Sequence, residues 1–275
     1  MALTYTDYQN SAAYIREHIG FTPEIAIVLG SCLGPFAERI EQPVEIDYRD
    51  IPNFLRSTAP SHAGKLIAGT VCGKRVVCMS GRFHYYEGYS FEQLVLPVRV
   101  FQCLGVKATI LTNAAGAINL AYKPGDVMVI ADHIKLYGGS PVRGENLAEF
   151  GPRFFDMTRA YTPELRTLAL DCAKRSPLTV HEGVYFYFPG PQFETASEIR
   201  AARILGGDAA GMSTVPEAIT AAHCGMPLLG LSVMVNMAAG ILETPISEEE
   251  VDAVGRTIAG DFSDYVSDII ERMQV

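Results

Sequence analysis

A chain of 275 residues, 48% of them hydrophobic, is long enough to bury a full core as one large α/β domain or two small ones, and the pattern of elements favours one domain over residues 1–275. The formal charge of −9 argues against a nucleic-acid groove or an anionic membrane surface as partner, but leaves room for a small anion held by a few local groups. Six cysteines without a C-x-x-C pair, most of them in apolar surroundings, read as reduced, buried thiols of a cytosolic protein rather than zinc ligands or disulfides.

No basic region precedes an apolar run near Asp7, so no signal peptide is visible. Tyr8, Ala12, Ile15 and Ile19 recur at helical spacing before Gly20, which predicts an opening amphipathic helix. Ile25–Leu29 follows as a buried strand running into Gly30-Ser31-Cys32-Leu33-Gly34. These small residues let backbone N–H groups approach an anion, although a plain strand-to-helix turn uses the same residues and the dinucleotide spacing G-x-G-x-x-G is absent. Pro60–Gly64, with His62 in it, reads as a loop before a strand at Leu66–Val71. Val76–Met79 is a continuous apolar run, as a strand buried on both faces requires, and Ser80-Gly81 ends it. Beyond that end stand Arg82, whose planar fork suits a phosphate, His84 two residues on, and Tyr86 on the same alternation. An ordinary ion pair for Arg82 and a satisfied polar role for His84 are the alternatives, so the assignment depends on the other segments.

Ser90 and Gln93 form a capping-box pattern for a helix through Leu104, kinked at Pro97 and stopped at Gly105. Ala108–Leu111 is another buried strand. The small residues Thr112-Asn113-Ala114-Ala115-Gly116-Ala117 after it suit a turn close to a ligand or one packed under a helix. A strand at Val127–Ile130 precedes a long loop, Leu136–Phe155, whose Phe154-Phe155 closes the core or lids a site or a subunit contact. Thr162-Pro163 starts a helix to about Arg175. Val180–Phe188 alternates as an aromatic strand and leads to Phe193, a flat apolar face, and Glu194, a carboxylate. The pair suits a planar heterocycle with an N–H donor, although carboxylates are also favoured in a helix's first turn. Asp208–Gly211 is a short strand leading to Met212 and Ser213, with Thr214 and Glu217 capping a helix up to Cys224; Ser213 is an anion contact or a capping hydroxyl. Leu228–Val235 is the last strand, and Asn236 at its end reads a base edge or needs another partner. The uncharged segment Cys224–Leu242 approaches the length of a membrane span, but Pro227, its glycines and Asn236 fit a buried strand and loop. Ser247 with Glu250 caps a final helix carrying Val251, Val254, Ile258, Phe262 and Ile269 on one side.

Several long motifs occur in one order: Leu29-Gly30-Ser31 with Gly34, His62-Ala63-Gly64, Gly81-Arg82-Phe83-His84 with Tyr86-Glu87-Gly88-Tyr89, Thr112-Asn113-Ala114-Ala115-Gly116, Gly190-Pro191-Gln192-Phe193-Glu194-Thr195 and Gly211-Met212-Ser213-Thr214-Val215-Pro216-Glu217. On these, and over nearly its whole length, the chain resembles the trimeric, low-molecular-mass class of purine nucleoside phosphorylases. The resemblance implies a single α/β domain, a twisted mixed β-sheet closing towards a barrel and surrounded by helices. It implies phosphate held by Ser31, Arg82, His84, the Ala114 backbone and Ser213, with His62 close by. The ribose would meet Tyr86 and Met212, and Phe154 would reach into the neighbouring subunit's site. The base would lie against Phe193, between Glu194 and Asn236, with Asn113 and Ala210 lining the pocket; Asn236, Glu194 and His84 carry the catalytic roles. The implied enzyme is a cytoplasmic homotrimeric glycosyltransferase of purine salvage, reversibly converting inosine or guanosine and their deoxy forms to base and pentose 1-phosphate. Its partners are these small molecules, not nucleic acid or membrane, and it uses no metal or organic cofactor, orthophosphate being a co-substrate.

Chemistry supports the same selection. Glu194 accepts from the N1–H of a 6-oxopurine, whereas adenosine offers an acceptor at N1 and an amino group at C6, the wrong polarity for a carboxylate. Asparagine at 236 agrees, since the related methylthioadenosine phosphorylases have an aspartate there. One departure stands at the last helix, where the family usually has a histidine against the ribose 5′-hydroxyl. Here it is Glu248, which accepts from that hydroxyl or simply favours the helix N-terminus. A nucleosidase using water would not need Ser31, Arg82, His84 and Ser213 together, and a silent nucleoside-binding protein would be expected to have lost Glu194, Asn236 or the anion group.

Overall fold

Every residue of β1 (Ile25–Val28) is buried, and its side chains alternate between two apolar clusters, Ala26 and Val28 in one, Ile25 and Ile27 in the other. A strand apolar on both faces needs cover on both, which makes the sheet a middle layer between helices. The computed structural model describes residues 3–59 and 62–275, except for the side chain of Glu248; Pro60 and Ser61 of the predicted loop lie outside the described residues. Among the described residues there are nine strands in one sheet.

β1 pairs in parallel with β4 (Lys74–Ser80) and with β5 (Ala108–Ala117). Beyond β4, β3 (Lys65–Val71) and β2 (Glu41–Asp47) extend the sheet antiparallel. On the other side the order runs from β5 through β8 (Ala209–Gly211), β7 (Val180–Tyr187) and β6 (Val127–Lys135) to β9 (Leu228–Met237). Because β9 returns to pair with β5 from Thr109 to Ala117, these strands close into a barrel, and β1 to β4 form an open extension. The helices α1 (Tyr5–Ile19), α2 (Leu96–Leu104) and α5 (Val215–His223) cover one face. On the other lie α3 (Pro163–Ala173) and α6 (Glu248–Arg272), while α4 (Ala196–Ile204) closes a smaller cluster with Ile118, Phe186 and Phe188.

Local chemistry explains where the elements depart from expectation. α1 ends as predicted, at Gly20 with φ 73. α2 begins at Leu96, not after Ser90: the Ser90 N–H does donate to Gln93 Oε1 at 2.9 Å, but residues 91–95 form turns. Pro97 therefore falls in the helix's first turn, where its missing N–H costs nothing, and the predicted kink is not required. Residues 112–117 are strand rather than turn, since β5 finds hydrogen-bonding partners there in β9 and β8; a register shift between Ala115 and Gly116 re-aims its end. β2 escaped prediction because it is an edge strand containing Pro43, with mostly exposed side chains. Of the thiols read as buried, only Cys78 and Cys172 are; Cys32, Cys103 and Cys224 are half-buried, and Cys72 is exposed because it shares with Gly73 a two-residue hairpin turn at φ 48 and 77. Leu228–Met237 is a barrel strand, and among the described residues no helix is long and apolar enough to cross a membrane.

α6 seals the second cluster through Ile258, Phe262, Tyr265, Val266, Ile269 and Ile270. Phe262 is 1% exposed, so Phe262→Ala should cost about 3–5 kcal/mol in urea unfolding at matched protein concentration. A loss below about 1 kcal/mol would contradict this account of how α6 is held.

Candidate active site

The C-terminal ends of β1, β4, β5, β8 and β9 face one cavity of about 470 Å³. Such strand ends are where ligands of parallel sheets bind. Gly30 permits the convergence, since a Cβ there would lie 2.6 Å from the Cα of Asn113. At Gly81 the backbone has φ +103 and a Cβ would stand 2.5 Å from that of His62, so the turn out of β4 admits no side chain.

The anion end is built on Arg82, which is 1% exposed. Its Nη1 donates to Ser213 Oγ (3.0 Å) and Thr214 Oγ1 (2.9 Å), and its Nη2 to the carbonyls of Val28 (3.2 Å) and Thr112 (2.6 Å). Nε lies 3.6 Å from Glu217 Oε1. One guanidinium thus joins the ends of β1 and β5 to the start of α5. Thr214 has φ 69, a conformation that costs a β-branched residue on the order of 1–3 kcal/mol. Its backbone makes a γ-turn, with the Val215 N–H donating to Ser213 O at 2.7 Å. The Thr214 hydroxyl does not cap α5; it accepts from Arg82 and from Asn113 Nδ2 at 2.9 Å. Thr214 and Glu217, read from the sequence as a capping pair, instead hold Arg82. Ser31 and Ala114 line the cavity beside them.

His84 forms the adjoining wall. Its Nδ1 lies 2.9 Å from Glu87 Oε1, and Glu87 Oε2 accepts from the Thr58 N–H (2.5 Å) and hydroxyl (2.7 Å). Burial alone would raise the Glu87 carboxyl, but these hydrogen bonds outweigh it and bring its pKa down to about 2. Burial also lowers the His84 pKa, so near pH 7 its ring is neutral, with the Nδ1 proton on Glu87 and Nε2 available as an acceptor. Tyr86 stacks on His84 at 4.4 Å between centroids, and His62 stacks on it at 5.0 Å. His62 supports His84 without lining the cavity: its Nδ1 accepts from the Arg82 N–H at 3.1 Å, and burial lowers its pKa to about 4.

At the other end Phe193, 45% exposed, presents its ring beside Glu194, with Ala210 and Met212 in the wall. No side chain among the described residues hydrogen-bonds the Glu194 carboxylate, and burial raises its pKa. Asn236 is 3% exposed and lines the same cavity, and its amide makes no hydrogen bond among the described residues. Gly116 stands against it, where a Cβ would come 3.1 Å from Asn236 Oδ1. Asn113 adds a buried Oδ1 that finds no partner among the described residues. Two further residues of the expected site stand apart from these. Phe154 is 89% exposed and borders a separate shallow cleft with Phe155 and His223; Glu248 opens α6, but its side chain lies outside the described residues. One turn on, Asp252 lines the cavity, with Oδ1 3.4 Å from Cys32 Sγ. Sequence reasoning missed Glu87, Thr58 and Asp252 as site groups; of these only Glu87, three residues from His84, carried a local signal. Among the described residues no cluster of three or more His, Cys, Asp or Glu is arranged to hold a metal ion.

With an anion end and a flat base-sized end in one cavity, the site has the two halves that a nucleoside-cleaving phosphorylase needs. Residues 24–271 match the family model of the phosphorylase superfamily. The chain is 49% identical over 268 residues to purine nucleoside phosphorylase 1 of Geobacillus stearothermophilus, covering 98% of each. The structure of isoform 2 of purine nucleoside phosphorylase from Schistosoma mansoni, in complex with cytosine and ribose-1-phosphate, superposes with a TM-score of 0.94 at 39% identity over 100% of both chains. A Schistosoma mansoni purine nucleoside phosphorylase in complex with inosine gives 0.94 at 36% identity over the same coverage. The chain belongs to the phosphorylase superfamily and, within it, to the purine nucleoside phosphorylases.

The histidine behind the site makes stability depend on pH. His62 titrates near 6.5 when unfolded and at about 4 when folded. Between those values the unfolded chain binds a proton that the folded one refuses, so stability falls as pH drops through that window. His62→Gln should flatten part of the decline in Tm between pH 6.5 and 4; identical slopes in the two proteins would contradict the assignment.

Proposed function

We propose that this chain catalyses the reversible phosphorolysis of 6-oxopurine nucleosides and deoxynucleosides, inosine and guanosine, by orthophosphate to the purine base and a pentose 1-phosphate. The observation that carries the reading is the one cavity in which the Arg82 anion end and the pair Glu194 and Asn236 face the same space. Its volume of about 470 Å³ lies in the range of small-ligand sites.

Phosphate would sit among the hydroxyls of Ser31 and Ser213, the Ala114 N–H and His84. The neutral His84 ring accepts the P–OH hydrogen at Nε2, leaving the anionic oxygens towards the sugar. Arg82 spends its Nη hydrogens on the protein and contributes its charge, together with the placement of Ser213. The ribose would lie across Tyr86 and Met212 and the base against Phe193. A phosphate oxygen then bonds to the anomeric carbon as its bond to N9 breaks, and the electron pair goes to the purine. Positive charge growing on the sugar is stabilised by the phosphate. Negative charge growing on the purine is met by Asn236 donating to N7, while Glu194 accepts from N1–H. Ionised Glu194 disfavours adenosine, whose N1 is itself an acceptor.

Three copies would form the working enzyme. An aromatic side chain as exposed as Phe154 invites cover, and a neighbour's cavity mouth would supply it. The reaction needs no metal or organic cofactor, since phosphate supplies both the charge and the nucleophile, and its substrates fit a cytoplasmic enzyme of purine salvage.

Following inosine with and without orthophosphate by phosphorus NMR tests the reading. Ribose 1-phosphate should form only when phosphate is present, with adenosine at pH 7.5 at least about a hundredfold slower. Free ribose released without phosphate would contradict it.

A further inference from the structure

The base end contains one titratable group whose charge decides which purine edge fits. Glu194 borders the cavity with a carboxylate that no side chain among the described residues holds, its own backbone N–H being the hydrogen bond it makes. Asn236 faces the same space, and among the described residues neither of its amide atoms is engaged in a hydrogen bond. An asparagine amide is bidentate for adenine, its NH₂ donating to N7 while its carbonyl accepts from the 6-amino group. Asn236 therefore does not by itself exclude a 6-aminopurine, and discrimination falls on Glu194. As a carboxylate Glu194 accepts from the N1–H of a 6-oxopurine; as an acid it donates to the bare N1 of a 6-aminopurine.

We infer that this cavity is a proton-gated selector, turning over 6-oxopurine nucleosides when Glu194 is ionised and 6-aminopurine nucleosides when it is protonated. The inference rests on the phosphorolytic reading of the site. The surroundings favour reachable protonation: burial raises the Glu194 pKa, its own N–H opposes this, and Glu198 in the first turn of α4 adds to the rise. The other titratable or charged groups on the cavity are Arg82, His84, Tyr86 and Asp252, and none of them makes a hydrogen bond or ion pair with Glu194 among the described residues.

The steps balance. A phosphate oxygen bonds to the anomeric carbon, the bond from that carbon to N9 breaks, and its electron pair passes into the adenine ring. The Glu194 proton moves to N1, so adenine departs neutral as a tautomer that water converts to the N9–H form. Glu194 is left as a carboxylate and takes its next proton from solvent.

Because one protonation state serves each substrate, the ratio of kcat/KM for adenosine to that for inosine should rise about tenfold for each unit that pH falls, wherever the Glu194 pKa lies. The experiment measures that ratio from pH 8 to pH 5.5 at saturating orthophosphate in the wild type and in Glu194→Gln, whose amide donates or accepts without titrating, with circular dichroism confirming a folded protein at each pH. A sloped ratio in the wild type and a flat one in the variant are expected. A flat wild-type ratio would overturn the inference, and so would an equal slope in both proteins, which assigns the proton to adenosine itself. If Glu194→Gln does not fold, Glu194→Ala, which equally lacks a titrating carboxyl, supplies the comparison, and the same two outcomes decide. Absence of phosphate-dependent inosine cleavage at pH 7.5 would instead strike the phosphorolytic reading, so the two failures are distinguishable.

Discussion

A buried guanidinium in a site meant for anions is the constraint on which this architecture turns. Arg82 satisfies its Nη hydrogens on Val28, Thr112, Ser213 and Thr214 and keeps Glu217 beside Nε, all away from water. Removing one partner of such a pair typically costs about 3–5 kcal/mol, because the other charge stays buried and uncompensated. The strained turn at Thr214 becomes intelligible in this light. Its left-handed backbone delivers one hydroxyl to Arg82 and Asn113 and sets Ser213 at the cavity wall. Strain there is offset by hydrogen bonds that an ordinary helix cap would not make.

Around that hub the groups are kept in opposite charge states by their surroundings. Glu87 is held ionised by His84 and Thr58, while burial outweighs the pull of that carboxylate and keeps His84 neutral, its Nδ1 on Glu87. His62 stays neutral behind it. At the far end the carboxylate of Glu194 lacks such support, and burial moves it the other way. The reaction separates charge along the same axis, from phosphate and sugar to purine, so a cavity polarised between its two ends stabilises both parts of the transition state.

Much of this was legible in the sequence. The apolar runs at β1 and β4 announced strands buried on both faces, and the periodicity closed by Gly20 announced α1. Residues expected at strand ends, Ser31, Arg82, His84, Asn113, Ser213 and Asn236, do share one cavity, because the parallel strands β1, β4, β5 and β9 carry their ends to a common edge and the closure of the barrel brings the end of β8 to it. What failed was chemistry set by tertiary partners. Thr112–Ala117 looked like a turn because its pairing with β9 and β8 is distant in sequence. Thr214 and Glu217 have the spacing of a helix cap, and only the approach of Arg82 turns them to another task. Asp252 reaches the cavity solely through the placement of α6, which no local pattern reveals.

The most direct test is equilibrium binding of orthophosphate and of hypoxanthine, titrated separately by calorimetry into the wild type and Arg82→Met. The account predicts that the variant loses phosphate affinity by at least about tenfold, a little over 1 kcal/mol, while hypoxanthine affinity stays within about twofold. Equal losses for both ligands would contradict the claim that Arg82 organises the anion end of the site.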